Sequence, residues 1–587
     1  MDKQAARVGE CPERTVFGRG SMEVLLRAFA YPPQLQAESL PEGCLPDLLW
    51  PPEIGVELPD EVNLTEWFLD RNLVGEQADR VAFYSGDRAV TYRTLNDWVN
   101  RFANALRSLG VEKGDCVLLR IANSVECVVC SLAVSRLAAV VLPTMTLLRE
   151  RVITHDANTA KVKVIVCGYE LLGEVEAGRA NYATVQHIVS VGGDPDELKS
   201  RGLRSYAELL AANSPIIESV RVPPTSLAAT FFTSGTTGTP KGCMHLIQTI
   251  IGSVHSYPLT FDGLRPTDVF MGSAPLAFVI GYGYNMLLPL LGGVPSVILE
   301  GRMSAEGLVE AIPKYKVTMF NAVPTAFNQL LKLPTIRDYD LSSLRVVMSG
   351  SAPLFASTFD AFKELTGLEI VNGIGSSESI GTQLASYLPG YKPGATGWPV
   401  PGVQATIIDD AGKECPVGVT GRLAIKACYG TMYWKNPERQ MEAVVDGWSL
   451  SGDYVYKDED GLYWHVSRID DVIKSRGYRV SPGEVEDALN EHPAVFESTV
   501  IGIPDPEQGQ RIKAFVVLRR GFAGSPELVE EIRAAVKKKV APYMAPSEME
   551  FVDALPKTET GKVRRVELRE LESKRTADRE AVAGGAA

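Results

Sequence analysis

The stretch LAATFFTSGTTGTPKG, residues 227–242, joins an apolar strand to a loop of hydroxyls and glycines that ends on a lysine. Glycines let a backbone turn sharply and direct its N–H groups toward phosphate oxygens. The hydroxyls add donors, and Lys241 adds a positive charge. Because α/β proteins bind ligands beyond the carboxyl ends of their strands, the stretch predicts a phosphate site at a sheet edge. The loop residues expected to take part are Thr233, Ser234, Gly235, Thr236, Thr237, Gly238, Thr239 and Lys241.

This loop differs from the P-loop of kinases and GTPases, which requires the pattern G-x-x-x-x-G-K-[ST]. Counting from Gly235, Pro240 stands where the second glycine belongs. Gly242 follows Lys241 where a metal-binding serine or threonine belongs. A hydroxyl-rich surface loop is the alternative interpretation of the stretch taken alone, so other segments have to decide.

Around the loop, short β-branched runs alternate with segments of helical periodicity. This alternation predicts an α/β fold with layered, largely parallel sheets. The predicted strands include residues 162–167, 317–323, 344–349 and 368–372, with a helix at 324–333.

The pattern changes after residue 395. Antiparallel strands with tight turns follow, and DEDG (458–461) is predicted as a hairpin turn, so we expect a small β-barrel-like subdomain. A smaller α+β domain comes next. We predict a proline-rich N-terminal extension over residues 1–60, a large domain over 61–468, the small C-terminal domain over 469–571, and a disordered tail over 572–587.

The bulk composition limits the class of protein. The chain has 587 residues and a formal net charge of −13, so we expect several domains and neither nucleic acid nor a membrane as main partner. Nine scattered cysteines do not form a disulfide framework and favour a reduced cytoplasm. Cys127 and Cys130 lie in an apolar run without a second motif, which predicts buried thiols on a core helix. Because polar residues and Pro143 interrupt the run 127–145, it predicts a helix followed by a strand and not a membrane span.

Five further motifs occur in a fixed order after the loop. They are SGSAPL (349–354), NGIGSSE (372–378), SGD (451–453), SRIDDVIKSRGYRVSPGEVE (467–486) and PKTETGK (556–562). Together with the loop, they make the chain similar to the adenylate-forming superfamily over roughly residues 60–571. NGIGSSE, TMTLLRE, SAPLAF and LSGDYVYKDEDG most resemble the branch of benzoate- and 2-aminobenzoate-CoA ligases, and the small domain also resembles medium-chain acyl-CoA synthetases.

The resemblance implies a reaction and its cofactors. An acid, ATP and coenzyme A would give acyl-CoA, AMP and pyrophosphate through an acyl-adenylate, with Mg²⁺ at Glu378. The small C-terminal domain would be a mobile lid that turns about Asp470 as its hinge. Lys562 would be the adenylation lysine, and Gly477 part of the pantetheine path. The other residues that the resemblance assigns to the nucleotide are Ser351, Ala352, Pro353, Asn372, Gly373, Ile374, Ser377, Asp453 and Arg468.

Some positions depart from the common pattern of the superfamily. Ile374 replaces an aromatic residue, Ser377 a threonine and Ser467 a glycine. The acid pocket is implied at Val279, Ile280, Gly375, Gly381 and Thr382, with Gly381 where aryl ligases carry a histidine. An apolar pocket with one or two hydroxyls favours a small aryl acid, or a short branched or hydroxylated one.

Several alternatives stay open at this point. An adenylation enzyme that loads a carrier protein, or a non-catalytic nucleotide-binding protein, shares most of these motifs; no aspartate for a substrate ammonium stands near Val279, and no carrier domain follows in the sequence. Outside the motifs, Asp470 and Asp471 would be a solvated acidic pair, Lys562 a surface lysine and Glu378 a helix cap. His245 fits core packing and ligand proximity equally, the other histidines are predicted to be structural, and a homodimer is left open.

Overall fold

The computed structural model describes residues 32–36, 40–234, 240–301, 304–352, 354, 356–469, 471–475, 478–505, 508–557 and 563–584. Within these ranges the chain forms layered α/β sheets, an antiparallel subdomain and a small α+β domain, as predicted from the sequence. None of the described helices is both long enough and apolar enough to span a lipid bilayer.

The first part of the large domain alternates strands and helices. Its strands are β1 Val81–Ser85, β2 Arg88–Thr91, β3 Cys116–Arg120, β4 Val140–Pro143, β5 Val162–Gly168, β6 His187–Val191, β7 Arg204–Ser205, β8 Leu227–Ser234 and β9 Pro240–Leu246. Its helices are α1 Leu64–Phe68, α2 Tyr92–Ser108, α3 Val125–Arg136, α4 Glu150–Thr159, α5 Leu172–Ala177, α6 Pro195–Ser200 and α7 Tyr206–Ala212. One sheet has the order β7-β6-β5-β3-β4-β8-β9 and is parallel except for the β8–β9 hairpin.

A second mixed sheet lies beside the first. Its order is β16-β15-β14-β13-β12-β10-β11-β1-β2, with a parallel centre and antiparallel edges. The new strands are β10 Phe270–Gly272, β11 Ser296–Ile298, β12 Met319–Ala322, β13 Val346–Ser349, β14 Ile370–Gly375, β15 Thr382–Ala385 and β16 Trp398–Pro399. The helices are α8 Ile247–Ser256, a π-helix at Gly281–Leu287, α9 Leu288–Gly292, α10 Ala305–Tyr315, α11 Pro324–Leu331 and α12 Ala356–Thr366.

The antiparallel subdomain has the strand order β17-β18-β20-β19, with β21 also paired to β20. The predicted turn at 458–461 connects β20 to β21, which confirms that expectation. The elements are β17 Gln404–Ile408, β18 Gly421–Lys426, α13 Pro437–Ala443, β19 Val444–Val445, β20 Trp448–Lys457 and β21 Tyr463–Arg468.

The small C-terminal domain packs helices on an antiparallel sheet to which one parallel strand is added. Its elements are β22 Ile473–Ser475, β23 Tyr478–Val480, α14 Pro482–Asn490, β24 Val495–Asp505, β25 Gly509–Leu518, α15 Pro526–Lys537, β26 Glu548–Phe551 and α16 Arg565–Gly584. Single 3₁₀ turns lie at Pro33–Leu35, Pro52–Ile54, Asp70–Asn72, Gly75–Asp79, Tyr169–Leu171, Arg179–Asn181, Tyr257–Thr260, Ile336–Asp338 and Pro542–Met544.

The sequence predicted disorder from residue 572, whereas α16 continues to Gly584. Ion pairs hold the start of this stretch: Glu572 lies 2.9 Å from Lys513 Nζ, and Arg575 lies 2.8 Å from Glu550. Composition alone missed these partners because they lie on β25 and β26, far away in the sequence.

The predicted core helix is α3, which is buried almost all round between α2 and the first sheet. Cys127 and Cys130 are free thiols within it, as expected. Burial raises the pKa of Cys127 to about 12, so this thiol stays protonated and unreactive.

Candidate active site

Lys241 lies at the start of β9, close to the end of β8, because the two strands form an antiparallel hairpin. In this hairpin Thr233 lies opposite Lys241, and Ser234 lies opposite Pro240. Thr233 Oγ1 lies 4.0 Å from Cys243 Sγ. The hairpin therefore brings a lysine to the base of the predicted phosphate loop. The loop residues Gly235, Thr236, Thr237, Gly238 and Thr239 lie outside the described residues.

A lysine, a phenol and a carboxylate meet next to this hairpin. Lys241 Nζ donates to Tyr433 Oη at 3.0 Å, and Tyr433 Oη donates to Glu378 Oε1 at 2.8 Å. Lys241 Nζ also lies 3.4 Å from the same glutamate oxygen and 4.8 Å from the centre of the Tyr433 ring. Hydrogen bonds and a cation–π contact therefore link the three side chains into one unit, which we call the phosphate cluster.

The protonation states of the phosphate cluster follow from its contacts. Burial alone would raise the pKa of Glu378, but the Lys241 charge and the Tyr433 hydrogen bond hold that pKa below its usual value. Burial, with the nearby Glu378 charge, raises the pKa of Tyr433 far above its ordinary range. At neutral pH the cluster therefore presents an ionised Glu378 carboxylate and a protonated Tyr433 phenol.

The cluster fits a magnesium–phosphate group. Mg²⁺ commonly binds through one or two carboxylates and takes its other ligands from water and phosphate oxygens. Glu378 supplies one such carboxylate, and its side chain keeps 21% of its surface exposed. Among the described residues, no group of three or more histidines, cysteines, aspartates or glutamates forms a metal cage. Substrate phosphates and water would complete the ligands of a Mg²⁺ ion held by Glu378.

Backbone pairing between the antiparallel subdomain and β9 positions Tyr433. Cys243 and Tyr433 form an antiparallel bridge, and Trp434 N donates to Gly242 O at 2.9 Å. The side chain of Gln440 accepts from Tyr433 N at 2.9 Å. A Cβ on Gly242 would lie 3.0 Å from Trp434 Cβ, so the glycine allows the two segments to approach.

Glu378 lies in a turn that follows β14. Residues 376–380 form this turn, so Glu378 does not cap a helix. Ser379 Oγ holds the turn by donating to Ser376 O at 3.1 Å and lying 3.0 Å from Gly381 O. Ile380 has φ 53°, an unusual value for a β-branched residue. Strained backbone of this kind is concentrated at binding sites.

Two segments are predicted to face adenine. One lies at the end of β13, and the other lies along β14. Ser351 has φ 73°, again in the left-handed region. Asn372 is buried and donates its side-chain amide to Ala395 O at 3.1 Å, so its side chain supports the neighbouring backbone. Pro353 lies outside the described residues, while Ala352, Gly373, Ile374 and Ser377 are half-buried along this edge.

Asp453 forms a second polar group, on β20. It is 3% exposed, and it lies opposite Arg468 in the β20–β21 pair. Arg468 Nη1 lies 3.4 Å from Asp453 Oδ1, and His465 Nε2 lies 3.2 Å from the same oxygen. The two neighbours orient the carboxylate that the sequence predicts to bind ribose. His465 was predicted to be structural, whereas the structure places it on this carboxylate.

The predicted acid-pocket residues come from two elements. Val279 and Ile280 lead into the π-helix, a type of helix often found at functional sites. Gly375 lies opposite Thr382 in the β14–β15 pair. A Cβ on Gly350 would lie 3.4 Å from Ile280 Cδ1, so Ile280 approaches the end of β13.

The space beside Gly381 is filled by an aromatic ring. A Cβ on Gly381 would lie 2.6 Å from Tyr429 Cε1 and 3.1 Å from Ser253 Oγ. Tyr429 is buried, and its hydroxyl donates to Thr382 O at 2.7 Å. Tyr429 thus occupies the place that a side chain at residue 381 would take, and this contact was not predicted.

His245 is fully buried next to the phosphate cluster. Its ring centre lies 5.6 Å from that of Phe231. Burial lowers the pKa of His245 to about 4, so the imidazole is neutral at physiological pH. Of the two roles left open by the sequence, the structure places His245 in the core.

Not all of the expected site is described. Asp470, Gly477 and Lys562 lie outside the described residues. Conversely, Tyr433, Gln440, His465 and Tyr429 were missed by the sequence analysis. The available signal was the aromatic pair in TMYWKNPE (431–438), which precedes α13 by a few residues.

Comparison with known proteins agrees with this geometry. The AMP-binding enzyme family matches residues 70–434, and the AMP-binding enzyme C-terminal domain matches residues 484–562. An acetyl-coenzyme A synthetase of Bacillus subtilis is 35% identical over 86% of this chain and 89% of its own length. The benzoate–CoA ligase of Thauera aromatica is 31% identical over 88% of this chain and 97% of its own.

Solved structures give the same result. An anthranilate CoA ligase in complex with anthranoyl-AMP has a TM-score of 0.83 and 33% identity, covering 89% of this chain and 99% of its own. A benzoate CoA ligase from Burkholderia xenovorans has a TM-score of 0.79 and 29% identity, covering 86% and 100%. The fold and the site therefore define an AMP-forming acid–thiol ligase. The chain belongs to the AMP-binding enzyme family, in the branch that includes benzoate- and anthranilate-CoA ligases, which confirms the resemblance read from the sequence.

Proposed function

We propose that this enzyme joins a small carboxylic acid to coenzyme A, with ATP as the energy source and an acyl-adenylate as the intermediate. The observation that carries the proposal is the phosphate cluster, in which the lysine of the phosphate loop and the glutamate of NGIGSSE share one phenol. A cation and a metal-binding carboxylate held together match the β- and γ-phosphates of ATP with their Mg²⁺.

In the first step, a carboxylate oxygen of the acid attacks the α-phosphorus of ATP, and the bond to pyrophosphate breaks. Lys241 stabilises negative charge on the departing phosphates, and Glu378 would hold Mg²⁺, which neutralises phosphate charge when bound. Tyr433 holds the side chains of Lys241 and Glu378 in fixed positions through its hydrogen bonds, so neither side chain has to reorganise during the reaction. We assign to Lys562 the role of bridging the acid and the α-phosphate.

The nucleoside is held away from the reacting atoms. Asp453, oriented by His465 and Arg468, accepts hydrogen bonds from the ribose hydroxyls in this proposal. The strained backbone at Ser351 and the half-buried Ile374 form the adenine side. Because the nucleotide loses its translational and rotational freedom on binding, the α-phosphate is already aligned when the reaction begins.

In the second step, the thiol sulfur of coenzyme A attacks the acyl carbon. The thiol proton is lost, and AMP leaves with the electron pair of the broken acyl–oxygen bond. We propose that the small domain turns about Asp470 to remove Lys562, while Gly477 lines the thiol path. Domain rotation about a few residues is ordinary hinge behaviour.

For the acid, we propose a small aryl substrate or a short branched or hydroxylated one. Support comes from the ring of Tyr429, which packs against Gly381 and limits the depth of the acid pocket on that side. Ile280 and Val279 make the opposite side apolar, and Thr382 adds a hydroxyl. Relatives named for acetate, benzoate and anthranilate span this range of size.

The carrier-protein alternative is not favoured, since the named relatives are CoA ligases and acetyl-coenzyme A synthetases. We place the reaction in reduced cytoplasm, which is supported by the free thiols of the described cysteines.

The experiment that tests the proposal is pyrophosphate release from ATP across a panel of acids, with and without coenzyme A. The panel contains acetate, isobutyrate, 2-hydroxyisobutyrate, hexanoate, benzoate, hydroxybenzoates and 2-aminobenzoate, with decanoate as the long-chain control. Turnover that needs both a small acid and coenzyme A supports the proposal. A preference for decanoate contradicts the proposal of a small acid. Pyrophosphate release at the same rate with and without coenzyme A contradicts the proposal that coenzyme A is the acceptor.

A further inference from the structure

Residues 40–56, which we call the extension segment, pack directly behind the active site. Leu48 forms a parallel bridge with Ala427, and Leu49 N donates to Ala427 O at 2.7 Å. Asp47 N donates to Gly447 O at 2.8 Å. The segment therefore joins the antiparallel subdomain through backbone hydrogen bonds, just after β18 and between β19 and β20, which fixes its position along the chain.

Three side chains of the extension segment fill places where the large domain carries glycine. A Cβ on Gly430 would lie 2.4 Å from Pro46 Cβ, and one on Gly402 would lie 2.5 Å from Pro51 Cγ. A Cβ on Gly252 would lie 3.1 Å from Trp50 Cζ3. A side chain at any of these glycines would collide with the segment, so the segment packs closely against the large domain only because glycine stands there.

Trp50 is connected to the acid pocket through two short paths. It faces Gly252 on α8, and the next residue of α8, Ser253, lies against Gly381. The Gly252 position also faces Cys428 Sγ, at 2.6 Å from a built Cβ, and the residue after Cys428 is Tyr429. Both paths end on the wall of the pocket beside Gly381.

We propose that Trp50 is a positioning residue that sets the depth of the acid pocket, and hence which acids the enzyme accepts. Trp50 packs against α8 and the cluster of Cys428 on the side away from the pocket, and this packing keeps the Tyr429 ring against Gly381. The inference rests on the proposed function, because it assigns a size limit to the substrate of the same site.

Two substitutions are expected to act in opposite directions. Trp50→Ala removes the support, so Tyr429 retreats from Gly381 and the pocket deepens. Gly252→Ala adds a methyl group 2.6 Å from Cys428 Sγ, which pushes Tyr429 toward Gly381 and makes the pocket shallower. The double variant should lie between the two, since the added methyl group partly refills the space left by the indole.

The experiment compares kcat/KM for a small acid with that for an acid one or two methylene groups larger, both chosen from the panel turned over by the wild type. One methylene in an apolar pocket changes discrimination by roughly 10- to 200-fold, so Trp50→Ala should shift the ratio toward the larger acid by about tenfold. Gly252→Ala should shift it toward the smaller acid. KM for ATP should stay unchanged in both variants, and Trp50→Phe should restore most of the wild-type ratio.

Leu48→Ala is the matched control, because Leu48 lies in the same segment but packs into the separate cluster of Leu246, Met432 and Trp434. It should lower stability without changing the ratio of acids. An unchanged ratio in Trp50→Ala, or an equal shift in Leu48→Ala, overturns the inference.

Hydrogen exchange provides a readout that needs no turnover. Peptides covering residues 376–385, which Leu48 does not contact through its own cluster, should exchange faster in Trp50→Ala than in Leu48→Ala. If the wild type activates no acid, the proposed function fails while this measurement still decides the role of Trp50. Equal exchange in the two variants contradicts that role.

Discussion

Replacing Tyr433 with phenylalanine tests the phosphate cluster at its centre. The substitution removes one oxygen and keeps the ring, so the backbone pairing with β9 and the contact between Lys241 and the ring face remain. It deletes the hydrogen bonds of 3.0 Å from Lys241 and 2.8 Å to Glu378. Lys241 and Glu378, already 3.4 Å apart, are then free to pair directly.

The size of the effect follows from those two bonds. A hydrogen bond to a charged group is worth about 1.5–3 kcal/mol, and each 1.36 kcal/mol changes a rate about tenfold. If one such interaction is lost in the transition state, kcat/KM for ATP should fall roughly 10- to 150-fold. A direct Lys241–Glu378 pair also competes with phosphate and Mg²⁺, so the Mg²⁺ concentration needed for half-maximal rate should rise.

The pH profile gives an independent reading of the same contact. Because the folded pKa of Glu378 lies below its usual value, its ionised form is present above that pKa and is lost as pH falls through it. On the acid side of the wild-type pH profile, the pH of half-maximal rate should therefore lie below the ordinary pKa range of glutamate. Tyr433→Phe removes a bond that lowers this pKa, so its acid limb should move to higher pH.

Pyrophosphate release at varied ATP, Mg²⁺ and pH measures all three effects. Tyr463→Phe is the control, since this phenol donates to Ala405 O at 3.0 Å within the antiparallel subdomain. It should cost stability of about 1 kcal/mol and leave the pH profile unchanged. If Tyr433→Phe behaves like Tyr463→Phe, the phosphate cluster is structural and the reasoning is refuted.

Three further predictions concern separate parts of the site. Asp453→Asn should raise KM for ATP roughly tenfold or more and leave KM for the acid unchanged in initial-rate assays, because a charge-assisted bond to ribose is weakened; an effect on the acid alone would contradict the assignment. Lys562→Ala should reduce pyrophosphate release by roughly 100-fold or more yet still transfer a synthetic acyl-adenylate to coenzyme A; loss of both steps would contradict a role limited to the first. Gly381→Ala should lower the free energy of unfolding by about 1–3 kcal/mol, because its Cβ would lie 2.6 Å from Tyr429 Cε1, and an unchanged denaturant midpoint would show that the ring moves freely.

The fold was accessible from the sequence because its signals are local. Strand β5 appears in the sequence as a run rich in β-branched residues, and helix α3 as an apolar helical run. The turn at 458–461 has its own composition. The composition of the tail gave no sign of α16, because the ion pairs of Glu572 and Arg575 reach partners on β25 and β26 that no local pattern reveals.

The candidate site was accessible only in part. Lys241 and Glu378 were found through their motifs, and the structure brings them together. Tyr433 is separated from Lys241 by 192 positions and from Glu378 by 55, so no spacing rule connects the three. His465 was taken as structural because a lone histidine on a strand gives no sign of the carboxylate opposite.

The resemblance implies a hinge at Asp470, and the contacts on either side of that position indicate where a rotation of the small domain would be absorbed. Asp471 pairs with Arg565 at 3.0 Å and with Arg569 at 2.6 Å, which ties the residue after the hinge to α16. On the other side, Ile469 N donates to Gly452 O at 2.9 Å, which ties that residue to the strand carrying Asp453.

The residues on either side of Asp470 are thus bonded to different domains, so we predict that a rotation that preserves these bonds is absorbed between Ile469 and Asp471. The hydrogen bond from Ser481 Oγ to Val466 O crosses the same boundary and would have to break. The predicted hinge therefore lies between bonds that each domain would keep, and the barrier to rotation would include the contacts that cross the boundary, such as this bond and the hydrogen bond of 3.5 Å from Lys332 Nζ to Phe496 O.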